Sequence, residues 1–76
     1  MSIELDLRGL VCPLPLIRLT ARLEELDGGC RCLVLADDPG FVDDLPDWCA
    51  ATGHRLVTLD LVEGVCRAEV EKLAAT

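Results

Sequence analysis

Aromatic side chains are nearly missing from this sequence: there is no tyrosine, and Phe41 and Trp48 are the only aromatics. The core must therefore be aliphatic, built from Leu, Val, Ile and Ala. Positive charge is also scarce, with seven basic against fourteen acidic residues and a net charge of −7. Such a surface repels phosphate backbones and removes the electrostatic attraction that dominates nucleic-acid binding, so direct contact with RNA or DNA is disfavoured. No stretch approaches the roughly 20 consecutive apolar residues of a membrane span. The first residues also lack the basic-then-apolar layout of a signal peptide. A cytoplasmic location is the expectation. The same net charge predicts a monomer that docks transiently to larger partners.

Cysteine, by contrast, is plentiful: Cys12, Cys30, Cys32, Cys49 and Cys66 in 76 residues. The number is odd and no secretory signal accompanies it, so reactive or buried thiols are favoured over a disulfide scaffold. At this length only about 60% of the unfolded chain's surface is buried on folding, which leaves room for one core and no second domain. Residues 1–76 are read as a single domain. Half the residues are apolar, as in an ordered globule.

Ile3, Leu5 and Leu7 alternate with Glu4, Asp6 and Arg8, the period of a half-buried strand over residues 2–8 that ends at Gly9. From Leu16, the residues Leu16, Leu19, Leu23 and Leu26 fall on one helical stripe, widened by Ile17 and Ala21. That helix is expected to stop at Asp27-Gly28-Gly29 with a glycine cap. Cys30 to Ala36 is a short apolar run of strand length. Asp37-Asp38-Pro39 is a helix-start signal, and a second helix is expected to run to Gly53, kinked or restarted at Pro46. His54 to Leu61 and Val65 to Leu73 then form two antiparallel strands about a Glu63-Gly64 turn. The order βαβαββ implies an α+β fold: a two-layer sandwich of a four-stranded mixed sheet on two helices, with one right-handed parallel crossover.

Chemistry concentrates at Cys12-Pro13-Leu14-Pro15, between the first strand and the first helix. Pro13 disfavours the helical region for Cys12, and Pro15 does the same for Leu14, so Cys12 is expected extended at the helix cap. There the unpaired amides and the positive end of the helix dipole would favour a thiolate and lower its pKa. The only histidine, His54, lies at the far end of the second helix, which argues against a Cys-His dyad for hydrolysis.

Gly9-Leu10-Val11-Cys12-Pro13-Leu14-Pro15, following Leu5-Asp6-Leu7, resembles the signature of the TusA/SirA family. Asp37-Asp38-Pro39, Leu45-Pro46, Trp48-Cys49 and Gly53-His54 fall where that family has matching features, so nearly the whole chain is covered. The resemblance implies a βαβαββ sandwich and a carrier that holds sulfane sulfur as a persulfide on Cys12, with Gly9, Pro13 and Pro15 shaping the motif. It implies a cysteine desulfurase or rhodanese-like donor and an acceptor in tRNA thiolation, molybdenum-cofactor maturation or a sulfur-oxidation complex with DsrE-like proteins. Neither a metal nor an organic cofactor is called for, because persulfide transfer is thiolate attack on a sulfur already bonded to sulfur. Many relatives carry basic residues two and three positions after the site of Arg18, where this chain has Thr20 and Ala21. Arg18 and Arg22 either flank the docking face or form a solvated helix face.

Two other functions compete with the carrier: an enzyme that splits a small donor such as thiosulfate beside a sulfur-compound importer, and a regulatory module whose cysteine is incidental. Cys30 and Cys32 lack a zinc-knuckle spacing and are read as packed strand cysteines. Cys49 is read as core, with a resolving thiol for Cys12 as its alternative, and Cys66 as core or sheet surface. Asp37, Asp38, Asp43, Asp44 and Asp47 lack a calcium-loop spacing and are read as caps and a solvated face. His54 is expected to be structural.

Overall fold

The alternation at the start of the chain does produce a strand. In the computed structural model, which describes residues 2–73, the elements are β1 (Ser2–Asp6), α1 (Leu14–Glu24), β2 (Arg31–Ala36), α2 (Pro39–Thr52), β3 (Arg55–Val62) and β4 (Val65–Glu71). The strands form one sheet in the order β1-β2-β4-β3. β1 and β2 are parallel, while β4 runs antiparallel to both β2 and β3. The expected α+β architecture and element order are present.

One sheet face carries the core. Register pairs Leu5 with Val34, Val34 with Ala68, and Leu59 with Ala68, so these side chains share the face beneath the helices. Cys32, Val34, Ala36, Cys66, Ala68 and Val70 from the sheet meet Leu19 and Leu23 of α1 and Phe41, Leu45 and Cys49 of α2, all buried. Each large aliphatic or aromatic side chain buried in this way contributes about 1.5–3 kcal/mol. The opposite face presents Glu4, Arg31, Leu33, Arg67 and Glu69, with Arg31 Nη1 3.6 Å from Glu69 Oε1.

Several boundaries differ from expectation, each for a local reason. β1 ends at Asp6 rather than residue 8, because Arg8 folds back and donates from Nε and Nη2 to the Asp6 carboxylate at 2.9 and 2.8 Å. α1 begins at Leu14, two residues before the apolar stripe, since a proline in the first turn gives up no hydrogen bond. It ends at Glu24 and not at the glycines; the Glu25 and Leu26 amides donate three residues back to the Arg22 and Leu23 carbonyls and tighten the last turn. Ile17 and Ala21, expected to widen the buried stripe, are exposed.

Pro46 does not restart α2; the helix is continuous from Pro39 to Thr52. Phe41 and Leu45 before the proline and Cys49 after it are buried on one face, and this shared burial outweighs the lost backbone bond. Asp38 caps the helix, accepting from the Phe41 amide at 3.2 Å, and Gly53 ends it at φ 85°. The last strands turn at Glu63 and Gly64, both left-handed, at φ 51° and 79°. Their bounds lie within two residues of those expected, and a bulge between Leu56 and Thr58 interrupts the pairing of β3 with β4.

Candidate functional site

Because β1 and β2 are parallel neighbours, the loops that follow them emerge side by side at one end of the sheet. Such adjacent βα loops are where open α/β sheets commonly build sites. Here the first loop carries Cys12 and the second carries Asp37 and Asp38. The Gly9 amide donates to Asp37 Oδ1 at 2.9 Å, and the Cys12 amide donates to Asp38 Oδ2 at 3.0 Å. Asp38 therefore holds two amides at once, that of Phe41 in its own helix and that of Cys12 in the neighbouring loop. Gly40 allows the close approach: a Cβ there would lie 3.6 Å from that of Cys12 and 3.2 Å from Asp38 Oδ2.

Gly9 turns the chain at φ 86°. The Cys12-Pro13 peptide is cis, and Pro13 stands at the N-cap of α1 without a side-chain cap bond. Pro15 is buried in the first turn, where it anchors the helix start to the core. Cys12 itself is half-buried.

Its thiol does not sit in the electropositive setting expected from the sequence. Sγ donates to Asp44 Oδ2, 3.4 Å away on α2. Partial burial, the hydrogen bond to the Asp44 carboxylate, and the negative charges of Asp44 and Asp38 all push the Cys12 pKa above the ordinary thiol value. The expected lowering by the α1 terminus is thus overturned.

Asp37, Asp38, Asp44 and Gly40 are the neighbours of Cys12 that sequence reasoning missed: the aspartates were read as caps and a solvated face, which holds for the Asp38 cap, and Gly40 was passed over. Their signal lay in the topology: an Asp-Asp pair directly after a strand parallel to the one before Cys12.

Around Cys12 the surface is apolar in an unusual way. Val11 is 63% exposed, Leu14 45% and Ile17 56%. Arg18 follows on the exposed side of α1, whereas Arg22 is engaged by Glu25, with Nη1 2.6 Å from Oε2. Two cavities, of about 300 and 200 Å³, are lined by residues other than Cys12: Ile3, Glu4, Leu33 and Glu69 in one, and Asp37, Pro39, Val42, Asp43, Leu61 and Gly64 in the other.

The remaining thiols separate by burial. Cys32, Cys49 and Cys66 lie in the core, where burial raises their pKa values and makes them poor nucleophiles. Cys30 is half-buried just before β2. His54 Nδ1 accepts from the Leu73 amide at 2.9 Å, and its ring lies 5.5 Å from that of Trp48. About 12 Å of helix rise separates Asp44 from Thr52 at the end of α2, and His54 lies beyond that end, far from Cys12. No helix among the described residues is long and apolar enough to cross a membrane.

Comparison with known proteins bears on the fold and the family. The model of the family described as "Sulfurtransferase TusA" matches residues 3–72. A sulfur carrier protein TusA from Buchnera aphidicola is 31% identical over 90% of this chain and 86% of its own length. A second, from Pseudomonas syringae, is 39% identical over 80% of this chain and 73% of its own. The crystal structure of a SirA-like protein from Desulfitobacterium hafniense superposes with a TM-score of 0.79 at 29% identity, covering 93% of this chain and 97% of that one. With a family model spanning almost every described residue and relatives above 30% identity along most of both chains, the chain belongs to the TusA family of sulfur carriers.

Proposed function

We propose that Cys12 carries sulfane sulfur as a persulfide from a donor protein to an acceptor protein. The observation that supports this most is the pairing of a half-exposed thiol with three exposed apolar residues, Val11, Leu14 and Ile17, within five positions of it in sequence. Exposed apolar side chains gathered at one place mark contact with another protein surface. The carboxylates of Asp44 and Asp38 repel an anion such as thiosulfate, which counts against the donor-splitting enzyme.

In the transfer, Cys12 Sγ bonds to the outer sulfur of the donor's persulfide, and the donor's S–S bond breaks with its electron pair going to the donor's cysteine sulfur. The Cys12 proton passes to that sulfur, so one thiol and one persulfide are consumed and one of each is formed. The exchange follows the chemistry of thiol-disulfide exchange and consumes no oxidant. Cysteine desulfurases and rhodanese-like proteins are the donors of matching chemistry, and DsrE-like proteins or components of tRNA thiolation the acceptors. Gly9, Pro13 and Pro15 shape the loop, and Arg18 extends the docking face along α1. Arg22, held by Glu25, has less freedom to join it.

Intact-mass measurement after incubation with a cysteine desulfurase and cysteine, without reductant, tests the proposal. The expected result is a gain of about 32 Da located on Cys12 and absent from Cys12→Ser, the mass of one persulfide sulfur. An unchanged mass, or an equal gain in Cys12→Ser, refutes it.

A further inference from the structure

The environment of the thiol poses a problem that the relay leaves open. A carrier that meets its partners through a nucleophilic sulfur needs that sulfur ionised at the moment of attack. Yet the charges that act on Cys12 are both negative: Asp44, whose Oδ2 lies 3.4 Å from Sγ, and Asp38, whose Oδ2 lies 3.0 Å from the Cys12 amide nitrogen. Asp37, at the adjoining loop, is bound to the Gly9 amide and adds a third carboxylate nearby. The cations of the surrounding elements are directed elsewhere. Arg8 pairs with Asp6 at 2.8 Å and Arg22 with Glu25, while Arg18 is exposed on α1 beyond Ile17. Among the described residues, none of Asp37, Asp38, Asp43, Asp44 and Asp47 takes part in an ion pair.

We infer that Asp44, backed by Asp38, keeps resting Cys12 as the protonated thiol, and that the partner releases it by placing a cationic side chain against these carboxylates. The inference deepens the relay reading by naming a condition on the partner. A cation paired with Asp44 withdraws the acceptor from the Sγ proton and cancels the charge that opposes a thiolate. The exposed residues Val11, Leu14 and Ile17 bring the partner's apolar surface into contact, and the acidic side of the site selects for positive charge at its edge. Between partners the free carrier is less open to alkylation and oxidation, because both need the thiolate.

Two measurements on Asp44→Asn test this. The first is the pH dependence of Cys12 alkylation by iodoacetamide, followed by peptide mass spectrometry. Asp44→Asn moves the midpoint to lower pH and speeds alkylation at pH 7 by about threefold to tenfold, a full pH unit in midpoint being tenfold in thiolate. Asp43→Asn, one residue away with no bond to Cys12, leaves the profile in place. The second is sulfur loading by a cysteine desulfurase at pH 7, which falls severalfold in Asp44→Asn because the partner's cation loses its counterpart. An alkylation profile of Asp44→Asn that coincides with wild type, with circular dichroism unchanged, overturns the protonation role. Loading that rises together with alkylation overturns the cationic partner. Should the wild-type protein accept no sulfur at all, the relay reading fails by itself, and the alkylation profiles still decide the role of Asp44.

Discussion

At the scale of single residues, Asp38 shows how one carboxylate can join a structural and a functional part of the chain. Its Oδ2 accepts from the Phe41 amide as a helix cap and from the Cys12 amide across the loops. Replacing such a cap by alanine costs about 1 kcal/mol, whereas asparagine caps almost as well as aspartate. Asp38→Ala is therefore expected to lower the urea midpoint by a clear margin, and Asp38→Asn to keep most of the stability. A midpoint for Asp38→Ala equal to wild type would show that neither bond contributes. The Cys12-Pro-x-Pro motif was legible as a chemical site from residue types and order alone. The state of its thiol was not, because the groups that act on that proton stand 26 and 32 positions away in sequence.

At the scale of elements, helix boundaries shifted for local reasons, while burial along the helices was decided by tertiary packing. The stripe Leu19 and Leu23 was correct and buried, but Ile17 on its border faces solvent beside Cys12. Periodicity identifies which side of a helix is apolar; it does not tell a border residue from a docking residue. α2 makes the same point through Pro46, which is exposed and interior to a continuous helix. Proline is about 3 kcal/mol worse than alanine inside a helix, offset in part by about 1 kcal/mol from its stiffer unfolded chain. Pro46→Ala is expected to stabilise the fold by about 1–2 kcal/mol, restoring a donor for the carbonyl one turn earlier. Chemical denaturation with an unchanged m-value is the measurement, and a loss of stability would mean that the proline ring packs better than its exposure suggests.

Across the whole molecule, the response to pH near neutrality is set by the half-buried His54. Partial burial, and then the charge of Lys72, lower the pKa of His54 from its ordinary value of 6.5. The folded state then binds the His54 proton less readily than the unfolded chain, so stability is full above pH 6.5 and falls as pH drops through that value toward the lower folded pKa. Protonation also opposes the bond that Nδ1 accepts from the Leu73 amide, which ties the end of β4 to the end of α2. Thermal unfolding between about pH 7.5 and 5.5 should show this decline, and His54→Gln should flatten it while lowering stability at the upper end. A wild-type curve that is level over this range would contradict the account. Asp6 has the same sign in a separate, more acid window: its hydrogen bonds from Arg8 hold its pKa at about 2, below the ordinary 3.8, so its contribution is lost as pH falls through that interval.

Residue order by itself determined the element sequence βαβαββ, a core that is mainly Leu, Val and Ala although Phe41 also enters it and no Ile does, the hairpin at Glu63-Gly64 and the singular position of Cys12, because these follow from short-range periodicity, turn chemistry and two closely spaced prolines. Only the tertiary structure decided what surrounds the thiol. Two parallel strands deliver their loops to one edge of the sheet, and that topology sets α2's carboxylates against the cysteine of α1's loop. Electrostatic influence falls with distance in space and is blind to distance along the chain, so the carboxylates of Asp44 and Asp38 oppose the thiolate that the helix start by itself promised.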